Sequence, residues 1–325
     1  MPYWQLVTRS FAITWRHKYL WLLALFAGES GGGVSFNSGT SQPFGSTGGK
    51  GNAPDFNSVP QQVSDWLGQH ISLIVAVAVL FIILAIAFFI LAAVCEGALV
   101  RASAEHDAER PFGLRMAWRC GVATMGTIIR LRLLLVVLGL PVLIVLLALV
   151  AGFVVALSGH NVGAAVAFGL VGLIVVLAAV PYSIYLGFLN FLGARAAVLE
   201  QVGARAALVR GHRLVFKRPG RVLLVWLVGI ATAIGVGICA AVVLAILVVP
   251  ASLIAVVAFT TGKTVLWFGL AIIVLILVPV VLIVQGFVLA QGSTYWTLAF
   301  RRLEIDQAPA YGYAYPKAAP RQGPA

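Results

Sequence analysis

The chain has 325 residues, 61% of them hydrophobic and 10% charged, with a formal net charge of +12 and a mean hydropathy of +1.03. A soluble domain carries roughly 25% charged residues, so this composition excludes a soluble globular protein and marks a polytopic membrane protein. The cations sit at the ends of apolar runs, which points to anionic lipid headgroups and away from nucleic acid.

Residues 3–18 mix aromatics with Arg9, Arg16 and Lys18, and Trp4, Val7, Phe11 and Trp15 recur at helical spacing. The pattern predicts a helix lying at the membrane surface. The apolar run at about 17–28 follows. Ten helical residues reach only ~15 Å against a hydrocarbon core of ~30 Å, so this run crosses only with help from preceding turns and with Arg16 and Lys18 snorkelling. Residues 29–69 are rich in Gly, Ser and Asn and read as an outer loop. The loop closes in a short surface helix that carries Trp66 to lipid.

Residues 71–98 are a clear span, followed by a charged segment at 101–119. Residues 133–194 contain no Asp, Glu, Lys or Arg. As one helix they would reach ~93 Å, about three times the hydrocarbon core, so the chain must turn back once. SGHNVG at 158–163 is the turn-like hexamer in the middle. The two resulting spans, about 130–157 and 164–193, contain Pro141 and Pro181. Residues 222–249 are the next span, ended by Pro250, and ASLIAVVAFTTG rests at the interface. Residues 264–300 make a last long helix kinked near Pro279. Residues 303–325, rich in Pro, Ala and Tyr, are expected to be a disordered cytoplasmic tail.

Residues 195–221 set the sidedness. They carry Arg195, Arg205, Arg210, Arg213, Lys217, Arg218 and Arg221 against one acid, Glu200. With six crossings and both termini in the cytoplasm, every cation except Lys50 and Lys263 falls inside, as the positive-inside bias requires. A five-span alternative puts the N-terminus outside. The chain also repeats itself: residues 113–121 read GLRMAWRCG, and residues 203–211 read GARAALVRG. PYSIYLGF at 181–188 likewise matches PVVLIVQGF at 279–287. The expected fold is therefore all-α: a transmembrane helical bundle of about six spans in three units, each a surface helix, a span, an outer loop and a span.

No catalytic constellation emerges. GESGG at 28–32 satisfies G-x-S-x-G, but it lacks the strand and helix that a nucleophile elbow needs. GGKG at 48–51 and TGKT at 261–264 lack the upstream glycine of a phosphate loop. The cluster of Glu105, His106, Asp107 and Glu109 reads as a solvated charged segment, and Cys95, Cys120 and Cys239 as small apolar residues. No metal or cofactor is expected, and an enzyme is not.

Two sets of residues remain. Glu96, Tyr182, Tyr185, Asn190, Gln285 and Gln291 are polar groups at span depth, where burial in lipid is costly. They are candidates for a polar cavity open to the cytoplasm or for interhelical hydrogen bonds; Tyr295 belongs with them. Arg115, Arg119, Arg205, Arg210, Arg213, Lys217 and Arg218 lie on basic surface helices and are candidates for anionic-lipid contacts.

GLRMAWRCG, GARAALVRG and the closing GSTYWTLAFRRLE resemble a broad group of bacterial polytopic proteins. These are similar to the membrane domain attached to some glycerophosphodiester phosphodiesterases. The resemblance covers about residues 1–303. It implies a helical domain of the bacterial inner membrane without the appended enzyme, and it transfers no functional residue. The expected function is a non-catalytic membrane protein that contacts lipid or a protein partner, as an accessory or organising subunit. The alternative is a transporter or channel built on the polar cavity.

Overall fold

Backbone polar groups inside a bilayer find no water, so a chain this apolar must satisfy them within helices. The computed structural model describes residues 4–27, 61–159, 161–217, 219–261 and 264–305. Among these residues there are eight helices and no strand: α1 (Trp4–Arg16), α2 (Tyr19–Ala27), α3 (Gln61–Asp107), α4 (Leu114–Ser158), α5 (Val162–Leu199), α6 (Ala204–Lys217), α7 (Pro219–Thr261) and α8 (Thr264–Ile305). The expected outer loop up to residue 60, most of the C-terminal tail, Lys50, Lys263, Arg218 and the Trp66 side chain lie outside the described residues.

Five helices, α3, α4, α5, α7 and α8, are long and apolar enough to cross a membrane. The shortest, α5, has 38 residues and the longest, α3, has 47. At 1.5 Å per residue even α5 measures ~57 Å, nearly twice the hydrocarbon core. The surplus gathers at one end. There the C-terminal ends of α3, α5 and α8 meet the N-terminal ends of α4 and α7, together with α1, α2 and α6. The buried residues concentrate in this base, from Leu6, Leu20 and Leu99 to Ala117, Leu192, Ala207, Trp296 and Phe300. By contrast, the apolar lengths of the five long helices are almost wholly exposed.

Close backbone approach knits the base. A Cβ on Gly121 of α4 would lie 2.2 Å from the Val94 carbonyl oxygen of α3, and one on Gly97 would lie 2.4 Å from Thr124 Oγ1. Small residues at such crossings let helices pack without large side chains between them.

The reversal at SGHNVG occurs as expected: α4 ends at Ser158, and the Asn161 side chain caps α5 by accepting from the Ala164 amide at 3.1 Å. Four boundaries differ from the sequence reading. Pro250 does not end its helix, and α7 runs on to Thr261. Proline removes one amide donor, but an all-apolar flank leaves no cheaper place for the remaining polar groups than the helix itself. The surface segment near 61–70 and the span after it are one helix, α3, and residues 114–129 likewise belong to α4. Conversely, the N-terminal aromatic helix does not continue into the apolar run. The chain breaks at His17 and Lys18, leaving α2 with nine residues.

Candidate functional site

Each long helix leaves the apolar zone through polar residues, and in the base these meet across helices. Glu96 on α3 is 2% exposed and forms an ion pair with Arg132 on α4. Arg132 Nη2 also donates to the Ala27 carbonyl at the C-terminus of α2, at 3.2 Å, where the helix dipole favours a cation. Its guanidinium lies 5.7 Å from the Phe89 ring centroid. The sequence marked Glu96 but not its partner.

A second group links α1, α3 and α8. Gln291 Nε2 donates to Ser10 Oγ at 3.4 Å, and Thr294 Oγ1 lies 3.5 Å from Thr14 Oγ1 and 3.1 Å from Ser103 Oγ. All five side chains are buried. Hydroxyls that bond across helices satisfy one another away from water, which is the structural role expected of them.

The other predicted polar residues do not join these two groups. Tyr182 Oη donates to the Leu138 carbonyl at 2.7 Å, tying α5 to α4. Tyr185 Oη bonds His212 Nδ1 on α6 at 2.7 Å. Tyr295 Oη donates to the Val225 carbonyl of α7 at 2.7 Å. Asn190 is half-buried and Gln285 is exposed on α8. The six candidates thus lie on α3, α5 and α8, with Glu96 and Gln291 in separate hydrogen-bonded groups.

Arg195, the first cation of the 195–221 segment, is fully buried. Its Nη1 donates to the Phe191 carbonyl at 2.8 Å and its Nη2 to the Ser293 carbonyl at 3.3 Å. Phe191 stacks on Trp296 at 5.2 Å. This arginine fastens α5 to α8 and does not face lipid.

The basic rim divides into two sets. Arg210 bridges Glu200 at 3.2 Å and Glu304 at 3.0 Å, joining the ends of α5 and α8 to α6. Burial, and then the charge of Glu304, raise the Glu200 carboxyl pKa, with Arg210 opposing. Asp107 holds Arg9 at 2.7 Å and Arg301 at 2.5 Å. Arg115, Arg119, Arg205, Arg213 and Lys217 are instead exposed, with no carboxylate partner among the described residues.

At the α1–α2 joint, His17 stacks on His106 with ring centroids 3.6 Å apart, and Tyr19 Oη bonds His106 Nε2. Desolvation first, and then the His17 charge, hold the His106 pKa down at about 4. Among the described residues no three His, Cys, Asp or Glu side chains are placed to hold a metal ion.

An apolar cavity lies elsewhere. A groove of about 1020 Å³ runs between α1, α7 and α8, with an almost wholly apolar lining. A second cavity of about 610 Å³ lies between Arg130 on α4 and the start of α6 at Gly203 to Ala206. Sequence reading did not identify the groove, although its aromatic rim at Trp4, Phe11 and Trp15 was visible as a helical stripe.

No curated protein and no solved structure matches the chain. The family comparison carries no link to glycerophosphodiester phosphodiesterases or to bacteria. A family model does match residues 7–299, and by that match over most of its length the chain belongs to the family of unknown function DUF7544.

Proposed function

We propose that this is a non-catalytic integral membrane protein whose cationic base contacts anionic lipid on the cytoplasmic side, as an accessory or organising subunit with room for a protein partner. The observation that carries this reading is the division of the rim cations. Arg9, Arg210 and Arg301 are consumed by carboxylates inside the fold. Arg115, Arg119, Arg205, Arg213 and Lys217 remain outward on α4 and α6, and each cation near an anionic surface contributes roughly 1 kcal/mol.

The topology that goes with it keeps both termini inside and takes six crossings, of which the five long helices supply five, while α2 with nine residues is too short to complete the sixth alone. In its favour, the cationic ends of the long helices all gather in the base. The threefold repeat draws support from α4 and α6. Ala117 and Ala207 occupy corresponding places and are both fully buried, and Gly121 and Gly211 both press on the preceding long helix. The likeness to bacterial membrane domains is the ground for placing the protein in a bacterial inner membrane. A transporter reading has less support, because Glu96 and Gln291 are engaged in separate groups and Gln285 faces outward.

The test is lipid retention by the purified protein in nanodiscs of mixed phosphatidylglycerol and phosphatidylcholine. Replacing Arg115, Arg119, Arg205, Arg213 and Lys217 together by Gln is expected to reduce the enrichment of phosphatidylglycerol around the protein several-fold. Unchanged enrichment would contradict the reading.

A further inference from the structure

The geometry of α1 points to a discrete binding site for one anionic phospholipid, seated where α1 meets the α7–α8 hairpin. The inference rests on the reading that lipid is the ligand, but none of its residues is among the rim cations that carry that reading.

The helix α1 has three faces. Leu6, Val7, Ser10, Ile13 and Thr14 are buried against the base. Trp4, Thr8, Phe11 and Trp15 form a second, exposed stripe at spacings of three and four residues. Gln5, Arg9, Ala12 and Arg16 form a third. The second stripe is the floor of the 1020 Å³ groove, whose walls rise along α7 and α8. Its aromatic end is built: Phe11, Trp15 and Trp21 each pack edge-on against Phe287, at 5.3, 5.8 and 5.4 Å. The groove therefore has a fixed shape at its base, unlike the open surface of a single lipid-facing helix.

On α7 the lining runs from Val228 to Val243. Fifteen helical steps make ~22 Å, more than the ~15 Å of one half of the hydrocarbon core, so a whole acyl chain of the near leaflet fits lengthwise. The third stripe supplies the other end of the ligand. Arg9 is held by Asp107, but Arg16 is exposed, one residue from Trp15, and has no ion-pair partner among the described residues. An apolar trough floored by a helix whose adjacent face carries an exposed guanidinium complements a molecule with a long alkyl chain and an anionic phosphate. Aromatic rings at headgroup level suit the boundary between the two.

Gly235 allows the groove to be closed without disturbing the fold. It lines the groove, and a Cβ there meets nothing within 4 Å. Gly237, two residues on, has the same free space but does not line the groove. Native mass spectrometry of the full chain in detergent, with added phosphatidylglycerol or phosphatidylcholine, reads the occupancy. The wild type is expected to retain one phosphatidylglycerol. Gly235→Phe should lose it and Gly237→Phe should keep it. Arg16→Gln should lower the preference for phosphatidylglycerol over phosphatidylcholine about fivefold, the equivalent of one cation at an anionic surface. The variant neutralised at the five rim cations should still carry this one lipid, so the two proposals fail separately. Equal retention by Gly235→Phe and wild type would overturn the site. So would a lipid-free wild type, whether monomeric or a dimer with a second copy on the groove.

Discussion

Glu96 and Arg132 show what a single side chain contributes here. A carboxylate that is 2% exposed beside an apolar span is costly unless paired, and removing one member of such a pair strands the other. Glu96→Gln is therefore expected to destabilise the protein by ~3 kcal/mol, seen as a lower thermal midpoint in detergent. Replacing both residues by Leu should recover most of that loss. If the single variant melts like the wild type, the pair is not structural. Glu96 was legible in the sequence because a lone acid in an apolar run is conspicuous. Arg132 was not, because it lies 36 residues away inside a cationic segment where one arginine looks like another. The hydroxyls of Ser10, Thr14, Ser103 and Thr294 were invisible for a related reason: uncharged and small, they stand out only when the helices carrying them are side by side.

At the level of the element, the joint between α1 and α2 is held to the end of α3 by the His17–His106 stack. His106 lies beyond the apolar stretch, and its pKa is lowered to about 4 by burial first and by His17 second. A histidine whose folded pKa lies below its unfolded value of ~6.5 contributes stability that is fully present above the unfolded value. That stability is lost as pH falls through the window from ~6.5 to about 4. The thermal midpoint should fall across that window, and His106→Gln should flatten the fall. An unchanged pH profile in the variant would contradict the assignment. Element existence was readable from apolar length, and the α4–α5 turn from its polar hexamer. Element ends were not, where they depended on proline. Pro250 signals a stop in water, but in an all-apolar flank the helix has no better alternative. The short α2 was read as an apolar run needing the preceding turns, and the break at His17 and Lys18 denies it them.

For the molecule as a whole, the packed core and the apolar spans are different regions. The base holds the buried side chains, the ion pairs and the hydroxyl group, while the spans expose their aliphatic faces along nearly their whole length. Composition revealed the membrane class at once. It could not reveal that packing is concentrated at one end, because Leu, Val and Ala read alike whether they face lipid or protein. The central claim is that this base stays in the cytoplasm while the α4–α5 turn lies on the far side. In a variant lacking the native cysteines, Arg213→Cys and Ser158→Cys occupy exposed positions in the base and at the end of α4. An impermeant maleimide applied to intact cells should label Ser158→Cys and reach Arg213→Cys only after the membrane is opened. Labelling of Arg213→Cys in intact cells, with Ser158→Cys protected, would contradict the account.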